Sequence, residues 1–138
     1  MKMGDWLIFA IFALIMWGLW GFFPKLATNY ISPKSALIFE VIGALVVGVV
    51  VLIVVGFKPE IHSKGITFAL LTGIAGTLGA LFFLYAISRG KASVVVTTTA
   101  LYPIITIMLA FLILKEPVSL KQGVGMIFAL TAIMLLSG

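Results

Sequence analysis

One carboxylate in this 138-residue sequence lies well inside an apolar run: Glu40, in Leu37-Ile38-Phe39-Glu40-Val41. A carboxylate in hydrocarbon costs roughly 2.5–3.5 kcal/mol on insertion scales, so it faces a cavity or a partner. Two kinds of chemistry are open to it. Desolvation favours the neutral form of a carboxyl, which suits a group that binds a proton and a cationic substrate in turn. A structural ion pair is the other reading, and Lys25 is its partner: the two residues lie nearly symmetrically about Ser32-Pro33, so an antiparallel hairpin places them at similar depth. A lysine paired in this way keeps the carboxylate ionised. If Lys25 instead snorkels to the interface, Glu40 is left to bind something else.

Aromatic and hydroxyl side chains supply the rest of the candidate chemistry. Trp17 and Trp20 are three residues apart and share a helix face. Trp17 lies roughly 16 Å along its helix from Trp6, too deep for an interfacial belt on that side. An aromatic wall facing Glu40 would attract organic cations through the ring faces, whereas plain packing against neighbouring helices is the alternative. Thr99, Tyr102 and Thr106 form a polar line beside Pro103, whose missing amide disturbs the bond to the Thr99 carbonyl and can open backbone acceptors to a cavity. Threonine also serves as interhelical glue. Tyr85 reads as a site residue or as an interfacial anchor. Pro24 and Pro103 are assigned as hinges, and Gly73, Gly76, Ala80, Gly125 and Ala129 as small residues that admit close helix packing. His62 falls in a loop, as a solvated histidine. Glu116 reads as a capping residue rather than a catalytic one.

The elements that must position these residues follow from composition. Hydrophobic residues are 63% of the chain and charged residues 9%, against roughly 45–50% and 25% in soluble domains. Nine basic and four acidic residues cannot coat a water-soluble surface, so lipid is the solvent. Cutting the sequence at its charges and turn residues predicts a single domain over 1–138 with five transmembrane helices, at about 6–28, 35–57, 65–87, 92–114 and 118–137. The opening apolar run is too long for the core of a signal peptide and is read as a retained span. Pro117 suits the first turn of the last helix.

Five spans put the termini on opposite sides. Lys2, Lys58, Lys64, Lys115 and Lys121 fall on one side, and Lys25, Lys34, Arg89 and Lys91 on the other. Because basic residues set orientation, so even a scatter predicts insertion both ways round. A fixed topology with the N terminus in the cytoplasm is the alternative. Many transporters pair inverted repeats around a midplane site, and two opposed copies of one five-span chain would supply that arrangement.

The segment Trp17-Gly18-Leu19-Trp20-Gly21-Phe22-Phe23-Pro24-Lys25 resembles the first-span signature of the EamA branch of the drug/metabolite transporter superfamily. Leu84 to Ser93, running on through Tyr102-Pro103 to Leu114-Lys115-Glu116-Pro117, is similar to its third and fourth spans. The resemblance covers essentially the whole chain and is to the short, single-domain five-span members. It implies a cavity enclosed by the first four spans of each half, with the fifth holding the halves together. It names no substrate. The family often carries a basic residue in span 2, where this chain has Glu40, which turns attention from anions to cations.

The expected protein is therefore an all-α, multi-pass protein of the cytoplasmic membrane that forms an antiparallel homodimer. It moves a small metabolite or organic cation by alternating access, with proton coupling through Glu40. A half-subunit of a heteromeric transporter and a flippase for lipid-linked substrates are the alternatives. An enzyme is excluded on inventory, since a nucleophile with a base and spaced metal ligands are lacking. No cofactor or metal is expected, and no nucleic acid, because the basic residues flank apolar runs rather than forming a stripe.

Overall fold

Backbone in lipid must bond to itself, so uninterrupted apolar sequence folds there as helix. The computed structural model describes residues 5–137, and they form α1 (Asp5–Ala27), α2 (Pro33–Val54), α3 (Ser63–Arg89), α4 (Ala92–Thr99), α5 (Tyr102–Leu109), a π-helical turn (Ala110–Leu114) and α6 (Leu120–Ser137). Trp6–Ala27, Pro33–Val54, Ser63–Arg89 and Ala92–Leu114 are each long and apolar enough to cross a membrane. Leu120–Leu136 is shorter. At 1.5 Å per residue it reaches roughly 26 Å, less than a hydrocarbon core of about 30 Å. Among the described residues, the five expected spans thus become four helices of spanning length and a shorter apolar helix. The chain divides into two compact units after Arg89.

In the first unit α3 packs against both α1 and α2. Ser32 caps α2, its hydroxyl accepting the Ser35 amide at 3.3 Å, with Pro33 in the first turn, where a missing amide costs nothing. The helix ends at Val54, earlier than the sequence suggests, because Gly56 turns left-handed (φ 64°). Phe57 N–H then bonds the Leu52 carbonyl and Gly56 N–H the Ile53 carbonyl, both at 2.9 Å. That pair of bonds is a Schellman closure, for which glycine is the favoured residue. His62 caps α3 through Nδ1, which accepts the Gly65 amide at 3.3 Å. Ala36, Ala80, Phe83, Leu84 and Ile87 are buried, as are Gly21 and Pro24. They cluster toward the end where α1 and α3 finish and α2 begins. Every residue from Val41 to Gly79 is exposed in the single chain, leaving apolar surface that only lipid or another hydrophobic surface can cover.

In the second unit α4 packs against α6. The expected kink at Pro103 takes the form of a break: α4 stops at Thr99, Ala100 and Leu101 form a turn, and Pro103 stands in the first turn of α5. The strain of an interior proline is relieved by starting a new helix. The π-turn closes with Lys115 left-handed (φ 58°) and its amide on the Ala110 carbonyl. Pro117 lies ahead of α6 rather than in its first turn, because Ser119 and Gln122 fix the start. Gln122 Oε1 accepts both the Ser119 amide and hydroxyl at 2.8 Å, and Ser119 Oγ accepts the Gln122 amide at 3.3 Å. Two orphan amides are satisfied by this capping box.

Gly56→Ala places a Cβ on a left-handed residue. The change should lower unfolding free energy by about 1 kcal/mol, measured by denaturant titration of the detergent-solubilised protein, while Gly48→Ala in mid-helix should be neutral or stabilising.

Candidate functional site

The α1–α2 hairpin turns through Thr28 to Ser32, so its centre lies at Tyr30. Trp20 is seven residues before the end of α1 and Glu40 seven residues after the start of α2. Both therefore lie roughly 10 Å from the turn, and they meet: Trp20 Nε1 donates to Glu40 Oε1 at 2.8 Å. That is a well-formed N–H···O hydrogen bond. Lys25, only two residues from the end of α1, lies shallower. Its ammonium donates to the Ile87 carbonyl at 2.9 Å, one of the last four carbonyls of α3, which have no intrahelical donor. A cation there also complements the negative end of the helix. Centring the turn on Ser32-Pro33 matched Glu40 with Lys25; the observed turn, two to three residues earlier, matches it with Trp20.

The indole is fixed on its other side by Phe83 of α3, stacked with ring centroids 5.1 Å apart and planes 24° off parallel. Trp20 is thus held by all three helices of the unit. Beside it opens a groove of about 300 Å³ whose lining includes Trp20, Glu40, Gly73, Gly76, Thr77 and Ala80. Glu40 is half-buried, and its Oε2 has no hydrogen-bond partner among the described residues. The Thr77 hydroxyl likewise makes no hydrogen bond there, whereas Thr72 bonds its own helix at the Phe68 carbonyl, 2.9 Å away. A Cβ added at Gly73 or Gly76 would meet nothing within 4 Å. Within the protomer these two glycines therefore border open space.

The remaining candidate residues lie apart from this constellation. Trp17 is exposed and does not line the groove. Tyr85 lies under the guanidinium of Arg89, 5.7 Å from the ring centroid. Thr99 turns its hydroxyl back to the Val95 and Val96 carbonyls at 2.9 and 3.1 Å, and Thr106 reaches the Tyr102 carbonyl at 3.5 Å; Tyr102 is exposed. Gly125 and Ala129 of α6, with Glu116, line a second groove of about 360 Å³ inside the second unit. Phe83, Ile87 and Thr77 join this constellation without having been expected there from the sequence. Ordinary side chains in an apolar helix give no signal of such a role; only the packing of α3 on α1 does.

The profile of the EamA-like transporter family matches the sequence over residues 4–138. An uncharacterized protein of Methanocaldococcus jannaschii is 30% identical over 135 residues, 95% of each chain. No solved structure matches.

Lys25→Met removes the donor to Ile87 and should destabilise the protein by about 1–2 kcal/mol, the lower part of the range for charged donors because the site is half-buried. Glu40→Gln keeps an oxygen for the Trp20 N–H and should cost less than half as much. Thermal unfolding in one detergent compares the two.

Proposed function

The chain belongs to the EamA-like transporter family, and from that premise we propose that it carries a small metabolite or organic cation across the cytoplasmic membrane by alternating access, as an antiparallel homodimer. It is an integral, multi-pass membrane protein of a transporter family rather than an enzyme family. Glu40 supports the finer reading most directly: a half-buried carboxylate beside an open groove, with one oxygen held by Trp20 and the other available. In this reading Glu40 binds substrate in one step and a proton in the next, and the ring of Trp20 completes the wall.

Two features support the second copy. Basic residues are divided nearly evenly between the two sides, which weakens any single orientation. One protomer also leaves its groove open and the stretch from Val41 to Gly79 wholly exposed. An inverted partner would close a pathway of the kind formed by inverted repeats.

The sequence has no cysteine, so Asn29→Cys and Ile61→Cys, in loops at opposite ends of α2, report orientation cleanly. Membrane-impermeant labelling of intact and opened vesicles should find each site on both sides in comparable amounts. One-sided labelling of every molecule would sink the antiparallel pair. For mechanism, proteoliposome flux in Glu40→Gln should fall by about tenfold or more, as for loss of a contact worth about 1.4 kcal/mol, and lose its pH dependence. Flux that stays equally fast and equally pH-sensitive removes Glu40 from the coupling.

A further inference from the structure

The carboxylate beside the groove is only partly available, and the part already occupied selects among ligands. Trp20 Nε1 holds Oε1 of Glu40 at 2.8 Å, while Oε2 has no partner among the described residues. An ammonium is a point charge that needs one oxygen at a time. A guanidinium binds carboxylates through a planar fork that takes both oxygens, so it competes with the indole for Oε1. Trp20 cannot easily swing aside, since Phe83 stacks on its ring at 5.1 Å.

We infer that the groove beside Glu40 takes a monovalent organic cation with an ammonium head and an apolar body, and that the indole N–H of Trp20 sets a preference for ammonium over guanidinium. The inference rests on the transport reading above and names its substrate class. Among the described residues Glu40 is the only charged group lining the groove, so a second positive charge on the ligand would be left uncompensated among apolar walls. Leu37, Val41 and Ala44 of α2 offer contact for the body, and the space over Gly73 and Gly76, where a Cβ would touch nothing within 4 Å, receives it. Thr77 lines the same groove with an unused hydroxyl, which can accept one further N–H of the head. Exposed indole ring adds attraction for the cation.

Calorimetric titration of the full chain in nanodiscs tests this with benzylammonium, benzylguanidinium, benzyl alcohol and benzoate, which share a body and differ in the head. Benzylammonium should bind most tightly, benzylguanidinium more weakly, and the neutral and anionic probes not measurably. Glu40→Gln should weaken benzylammonium by about tenfold or more, as expected for a hydrogen bond to a charged group. Trp20→Phe retains a ring to stack on Phe83 but has no N–H, and should narrow the gap between the two cations. Gly76→Val should exclude the body and abolish binding of both. Benzyl alcohol binding as tightly as benzylammonium, or an unchanged benzylammonium affinity in Glu40→Gln, overturns the site; an unchanged cation ratio in Trp20→Phe overturns the role given to the indole. Glu40-dependent binding without flux in proteoliposomes would refute transport and leave this site standing. Flux without Glu40-dependent binding would refute the site alone.

Discussion

A carboxylate in the hydrocarbon layer has to be met by a donor, and in this protein Trp20 meets Glu40. Much of the first unit can be understood from that requirement. For the indole N–H to reach α2, α1 must present Trp20 at the depth of Glu40, which sets the length of the turn between them. For the indole to hold its direction, a third helix must press on it, and Phe83 of α3 does so. Lys25 then ties α1 to the end of α3 one turn further on. Among the described residues, the Trp20–Glu40 and Lys25–Ile87 hydrogen bonds and the Trp20–Phe83 stack register three helices with little polar surface against one another. Such a division of labour is expected in lipid, where apolar contact alone distinguishes poorly between helix faces.

The cost of burying Glu40 is only partly offset by one hydrogen bond. A purely structural carboxylate would be expected to have both oxygens satisfied and no cavity beside it. Glu40 has one oxygen held by Trp20 and a groove at its side, and the proposed binding role draws on that pairing. The glycines of α3 fit the same account. In membrane helices small residues can bring backbones together; within one protomer Gly73 and Gly76 border the groove and stand over open space.

Much of the architecture was legible in the sequence, because composition and charge spacing dictate helices of spanning length. The place of Glu40 in an apolar run was equally legible, since it is a local fact of the sequence. Its partner was not. Choosing between Lys25 and Trp20 depended on where the hairpin turns, and a shift of two to three residues exchanged an ammonium for an indole. Two other departures had readable signals: Gly56, whose left-handed turn ends α2 early, and Ser119 with Gln122, whose capping box starts α6 late and leaves it short of a full span. Whether a glycine admits a helix or leaves a groove cannot be read from spacing, because both uses put small residues on one face.

The bond between Trp20 and Glu40 should persist in the membrane-embedded protein. The chain has three tryptophans, so its indole N–H resonances can be resolved by NMR in nanodiscs and assigned by losing one of them in Trp20→Phe. The Trp20 resonance should lie displaced in the direction of strong hydrogen bonding and move back in Glu40→Ala, while those of Trp6 and Trp17 stay in place. A Trp20 resonance unaffected by Glu40→Ala, which leaves no acceptor, would contradict it.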